Sequence, residues 1–229
     1  MTIRLASFDM AGTTIAEQGT VYAVLRSTVE NATGRTISDE LLSKWGGTSK
    51  HAAIGGLLTE LDEDVSRQDA LFDEFKVSLA AAYAATPPTL IPGVREAVAR
   101  LRAAGVAVAL QTGYSRDVAE PLLATVGWAV GTDVDALVTS DEVPASRPAP
   151  YLVFGTMQAT GVTSVAELLV AGDTANDLGA GVAAGARYVI GVTTGAYTPL
   201  QLGRHRHTHL LESVADIPVL LAADGELPA

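Results

Sequence analysis

The sequence contains no cysteine, so it forms no disulfide framework, thiolate nucleophile or zinc–thiolate centre. Cations are scarce. Fifteen Lys and Arg stand against 26 Asp and Glu, a formal net charge of −11. That balance argues against nucleic acid or an anionic membrane as a partner. It leaves an anionic substrate open, because a bound metal and a few arginines reverse the field locally. No apolar run reaches membrane-spanning length. The first residues read as strand rather than as a secretory leader, so a cytoplasmic protein is expected. What the chain does have is apolar side chains, 48% of its 229 residues. That is enough for one large domain, or for a core with a smaller domain inserted.

The organising stretch is Phe8-Asp9-Met10-Ala11-Gly12-Thr13-Thr14. The apolar segment before it, Ile3 to Phe8, reads as a buried strand. The Gly and two hydroxyl residues after it have the chemistry of a tight turn. Asp9 is therefore expected at the carboxyl end of a strand in an open α/β sheet, where such sheets place ligands. A turn-capping Asp is the plain alternative.

Past Thr14 the pattern turns helical. Val21, Val24, Leu25, Thr28 and Val29 share one face, and Thr33-Gly34-Arg35 ends that helix. Ser38 reads as an N-cap with Asp39 and Glu40 behind it, opening a short helix to Trp45. Further helices are expected from Thr48 to Asp62 and from Asp69 to Ala85, the last broken by Pro87-Pro88. Residues 16–90 thus carry no strand pattern and read as a small helical domain inserted after the first strand. Residues 1–15 and 91–229 form the remainder. Helix 93–104, strand 106–112, helix 116–127, strand 136–140, helix 149–160, strand 167–172, a helix from Asn176 and strand 187–193 alternate there. Leu210 to Ala223 reads as a last strand and helix. This rhythm predicts an α/β fold with a doubly wound parallel sheet.

Four strands end in small, polar turns: Asp9 to Thr13, Thr112 to Arg116, Ser140 to Pro144 and Gly172 to Asp177. In a parallel sheet all four lie along one edge. That edge gathers Asp9, Asp173 and Asp177, and three adjacent carboxylates repel unless a cation sits among them. Oxygen-only ligands suit Mg²⁺. The Thr112 hydroxyl, the Gly113 N–H and the planar fork of Arg147 are suited to holding a phosphoryl or phosphonyl group. Asp9 then attacks phosphorus to give an aspartyl-phosphate. Each element also has a plain alternative: helix caps for Asp173 and Asp177, a strand exit at Thr112-Gly113, a surface loop at Arg147.

In this order the motifs resemble those of the haloacid dehalogenase superfamily, and the inserted helices are similar to its cap. Two departures narrow the resemblance. Ala11 stands where the superfamily's phosphatases carry a general acid–base Asp, and Arg147 stands in place of the usual Lys. With Thr-Gly-Tyr-Ser-Arg at 112–116, both features resemble the phosphonatase branch. That resemblance implies a cap lysine that forms a Schiff base with a 2-oxoalkylphosphonate, and the matching residue is Lys50. It also implies Mg²⁺ between Asp9, the Ala11 carbonyl and Asp173, and a homodimer formed through the cap.

The chemistry agrees with Ala11. An ester leaves as an alkoxide and needs an acid, whereas a carbon–phosphorus bond leaves a carbanion and needs an electron sink. Lys50 falls in the first turn of its helix, where the dipole favours the neutral amine. Its rival, Lys44, sits inside the preceding helix. The branch's His three residues after its lysine is here Ala53, with His51 next to Lys50 instead, and its Met four residues before is Gly46. Substrate-binding candidates are Gly113, Tyr114, His51 and Thr13. Tyr114 and Trp45 are equally open to core packing. His205, His207 and His209 alternate, a pattern open to metal binding but better read as an exposed strand edge. Two other functions remain: a phosphatase for a small phosphate ester, and a non-catalytic protein that binds phosphonate or phosphate.

Overall fold

The computed structural model describes residues 2–227. In chain order the elements are β1 (Leu5–Phe8), β2 (Ile15–Ala16), α1 (Thr20–Thr33), α2 (Asp39–Lys44), α3 (Lys50–Glu60), α4 (Gln68–Ala85) and β3 (Thr89–Leu90). They continue with α5 (Val94–Ala103), β4 (Ala107–Gln111), α6 (Arg116–Thr125), β5 (Ala136–Val138), α7 (Tyr151–Thr160), β6 (Leu168–Gly172) and α8 (Ala175–Ala184). The chain closes with β7 (Tyr188–Val192), α9 (Pro199–Leu202), β8 (His209–Leu211) and α10 (Ile217–Ala223).

Six strands form one parallel sheet in the order β5-β4-β1-β6-β7-β8. β1, β6 and β7 are buried along their whole length, as strands covered on both faces must be. Helices α7 and α8 pack on the sheet together, while α5 and α10 pack against each other and α5 against β4. β1 lies between β4 and β6, with Phe8 level with Leu110 on one side and Ala171 on the other. The residues just past these positions, Asp9, Thr112 and Asp173, therefore emerge side by side at one edge.

Helices α1 to α4 occupy the stretch expected to be helical. Ser38 and Ser49 cap α2 and α3 through their hydroxyls, which accept from Leu41 and Ala52 N–H. One detail differs from the sequence pattern. β2 and β3 pair antiparallel where the helical segment leaves and rejoins the sheet, with Ile15 opposite Leu90 and Ala16 opposite Thr89. Two residues carry no period, so this ribbon has no sequence signature. Only His209 of the histidine triplet lies in a strand, the edge strand β8. Among the described residues no helix is long and apolar enough to cross a membrane.

Val21, Leu25, Ile54, Leu57, Phe75 and Leu79 bury the inner faces of α1, α3 and α4, in one apolar cluster continuous with that around β1 and β4. Phe75 is fully buried there. Phe75→Ala is expected to lower unfolding free energy by about 3–5 kcal/mol, read by urea denaturation. A loss below about 1 kcal/mol would show that these helices do not share the core.

Candidate active site

Asp9 leaves β1 nine-tenths buried, and its carboxylate Oδ1 lies 2.7 Å from Arg147 Nη2. Asp173 follows β6. Its Oδ1 accepts from the Thr13 hydroxyl at 3.2 Å and its Oδ2 from the Ala196 N–H at 2.7 Å. Asp177 sits in the first turn of α8 and accepts from the Thr174 N–H at 3.1 Å, so it does cap that helix. Its other oxygen, Oδ1, is buried without a hydrogen-bond donor and lies 2.9 Å from Arg147 Nη1. One oxygen from each of Asp9, Asp173 and Asp177 falls within 4.8 Å of the others. Among the described residues this is the one such group of three.

The electrostatics show what the cluster lacks. Three carboxylates against the single Arg147 guanidinium leave two negative charges when all are ionised. Burial, followed by Asp177 and Asp9, pushes the Asp173 carboxyl well above the usual range. Burial raises Asp177 to about 6, against the opposing pull of Arg147. An all-oxygen set with two surplus charges and an orphaned buried Oδ1 fits a divalent cation such as Mg²⁺. Gly12 allows the approach: it has φ +86°, and a Cβ there would stand 2.6 Å from Asp173 Oδ2.

Lys50 opens α3, and its side chain is buried. Its Nζ donates to the Thr48 carbonyl at 3.2 Å and lies over the rings of Tyr22 and Tyr114, 5.0 and 5.8 Å from their centroids. Burial lowers the ammonium's pKa to about 8, with Asp9 and Glu17 opposing and Arg147 assisting. The cause is desolvation more than the helix dipole. Lys50 shares one small cavity with Asp9, Ala11, Tyr22, Thr112, Gly113, Tyr114, Arg147 and Asp173. The cavity has a volume of about 20 Å³, room for roughly one water.

Several expected residues take other places. His51 is exposed, with Nε2 2.7 Å from Asp69 and Nδ1 against Gln68, and it is no part of the cavity. One step along a helix turns a side chain by about 100°, so the neighbour of an inward Lys50 faces away. Arg147 does not offer a free fork. Its N–H groups go to the Gln111 side chain and carbonyl and to the Gly47 carbonyl, and its charge goes to Asp9 and Asp177. Thr13 orients Asp173 and is fully buried. Thr112 Oγ1 accepts from the Tyr114 N–H at 3.2 Å. Trp45 packs on Gly56 of α3, where a Cβ would meet its ring at 1.9 Å. Lys44 is exposed beside Glu60.

Sequence reasoning missed Tyr22, Glu17 and Tyr83. Tyr22 accepts from the Gly47 N–H at 2.9 Å through its hydroxyl. Glu17 is buried, and its carboxylate accepts from Gly19 and Val21 N–H at 3.1 and 2.7 Å and from Tyr83 at 3.4 Å. Tyr83 in turn meets the Tyr114 hydroxyl at 2.8 Å. Tyr22 lies between the apolar positions of α1, and Glu17 lies in a turn, so neither carries a periodic signal.

Comparison with known proteins agrees with this geometry. The family model described as haloacid dehalogenase-like hydrolase matches residues 3–185. A phosphonoacetaldehyde hydrolase of Parabacteroides distasonis is 40% identical over 108 residues, which cover 47% of this chain and 40% of the relative. One from Bacillus cereus is 34% identical over 143 residues, 62% of this chain and 51% of the relative. The chain thus matches about half or less of these relatives' length. Among solved structures, a hydrolase from Pseudomonas syringae has a TM-score of 0.84 at 20% identity and covers 100% of both chains. A phosphonoacetaldehyde hydrolase-like protein from Oleispira antarctica has the same score and identity, covering 100% of this chain and 96% of that one. With the family model spanning most of its length and four motifs meeting at one sheet edge, this chain belongs to the haloacid dehalogenase-like hydrolases.

Proposed function

We propose that the protein is a Mg²⁺-dependent phosphonatase-like hydrolase that cleaves the carbon–phosphorus bond of a 2-oxoalkylphosphonate such as phosphonoacetaldehyde. Residues 16–90 serve as its cap domain, over a core of residues 1–15 and 91–229. The carrying observation is the buried Lys50 amine in the same cavity as Asp9 and Ala11. A buried lysine with a depressed pKa is suited to attack a carbonyl. Names among the curated relatives point the same way.

In this reading the neutral Lys50 amine adds to the substrate carbonyl and water leaves, giving an iminium. Asp9 Oδ attacks phosphorus as the carbon–phosphorus bond breaks, and that bond's electron pair passes into an enamine. A proton then returns to the enamine carbon. Water cleaves the imine and the aspartyl-phosphate, releasing the carbonyl product, phosphate and free enzyme. Asp9, Asp173, Asp177 and the Ala11 carbonyl would hold Mg²⁺, which neutralises charge at the phosphonyl oxygens. Arg147 acts on Asp9 and Asp177, keeping both carboxylates in position. Thr112 and Gly113 face the phosphonyl group. A phosphatase reading meets Ala11, which leaves the cavity without the usual acid for an alkoxide leaving group.

Borohydride reduction in the presence of phosphonoacetaldehyde is expected to add the mass of the reduced aldehyde at Lys50, located by peptide mass spectrometry. An unmodified Lys50, or ester turnover that survives Lys50→Ala, would favour the phosphatase instead. Asp9→Asn is expected to reduce phosphate release by on the order of a thousandfold or more while leaving the fold intact. Retained turnover would exclude Asp9 as the nucleophile. The reactive amine is the unprotonated form, so kcat/KM should rise with pH and level off above about 8, the pKa burial gives Lys50. A profile flat from pH 6 to 9 would contradict this role.

A further inference from the structure

The cavity between Asp9 and Lys50, at about 20 Å³, leaves no room for a further substituent on the substrate. A second chamber of about 270 Å³ adjoins it and shares three walls with it: Ala11, Tyr22 and Asp173. Its remaining lining is Gly12, Ala16, Glu17, Gln18, Gly19 and the Thr194 to Ala196 turn. Most of these are small or present backbone, which is why the space exists. Of the two longer side chains, Gln18 is exposed and Glu17 is a carboxylate more than nine-tenths buried.

Glu17 is held rigidly. Both oxygens accept from the turn that follows, and Tyr83 ties one of them to Tyr114 beneath Lys50. Oε1 accepts a single N–H, so lone pairs remain for a further donor. Those hydrogen bonds offset the cost of burial, and the spare lone pairs on Oε1 make Glu17 an acceptor at the wall of the chamber. Tyr22, pinned to Gly47 and facing Lys50, is the partition between the two spaces.

We propose that this chamber is the subsite for the substrate's group on the far side of the carbonyl, and that Glu17 selects a group carrying a hydrogen-bond donor, a hydroxyl or an ammonium. The inference rests on the carbon–phosphorus cleavage reading and deepens it. Once the carbonyl carbon is joined to Lys50 and phosphorus faces Asp9, the third substituent points to the remaining open space. Hydrolysis of such a ketone phosphonate yields phosphate and the methyl ketone that bears the same side group.

The test compares phosphate release from phosphonoacetaldehyde, a hydroxymethyl ketone phosphonate and its ethyl ketone isostere. The wild-type protein should turn over the hydroxymethyl ketone with kcat/KM on the order of tenfold or more above the ethyl ketone. In Glu17→Gln one amide oxygen must satisfy Gly19 and Val21 N–H, so acceptor capacity toward the chamber falls and the preference should collapse. Ala16→Leu, which fills the chamber from β2, should depress both ketones more than the aldehyde. Equal use of the two ketones, no turnover of either, or a preference untouched by both variants would overturn the inference and leave the cleavage reading standing. No phosphate from any of the three and no borohydride adduct would overturn both.

Discussion

Three carboxylates buried around one guanidinium dominate this molecule. Asp9 and Asp177 share Arg147, and Asp173 has only neutral donors from Thr13 and Ala196. Burying charge is unfavourable unless it is paired, and here one guanidinium pairs with two of the three carboxylates. The fold is arranged to hold that imbalance in place. β1 and β6 end level with each other, α8 starts at Thr174, and Arg147 is braced by Gln111. Burial and mutual repulsion raise the carboxyls of Asp173 and Asp177, which fits a cluster that could hold a cation.

The second constraint is how the helical segment is fastened to the sheet edge. The end of α2 and the α2–α3 linker accept hydrogen bonds from the Tyr197 hydroxyl at Ser43, from Asn176 at Gly46 and from Arg147 at Gly47, and the Ser49 N–H donates to the Ser146 hydroxyl. The Lys50 N–H donates to Gly113. Arg147 thus touches Asp9, Asp177 and the linker that leads into Lys50 with one planar group. A cavity of about 20 Å³ is too small for a phosphonate, so under the proposed function loading the substrate requires these bonds to open and reform. The Lys50 backbone is itself part of the fastening, which fixes where its side chain stands relative to Asp9.

Much of this was legible in the sequence, for definite reasons. Parallel strands bring their carboxyl ends to one edge whatever lies between, so Asp9, Thr112 and Asp173 could be gathered from order alone. Long apolar periods and serine caps marked α1 to α4 closely. Spacing could not say which way a side chain turns within one helical step, so it could not show that His51 faces Asp69 and not the cavity. Nor could it show that Arg147 would be consumed by neighbouring carboxylates, since that depends on three segments far apart in the chain. Glu17 and Tyr22 escaped because a turn and a mixed helix face carry no period.

The most direct test of this account is calorimetric titration of Mg²⁺ into the protein near neutral pH, in two buffers of different ionisation enthalpy. Burial pushes the Asp173 carboxyl well above the usual range and a bound cation pulls it down, so binding of one Mg²⁺ should be accompanied by proton release, and Asp173→Asn should abolish or severely weaken it. No binding, or binding without proton release that Asp173→Asn leaves unchanged, would contradict the claim that this cluster is a cation site.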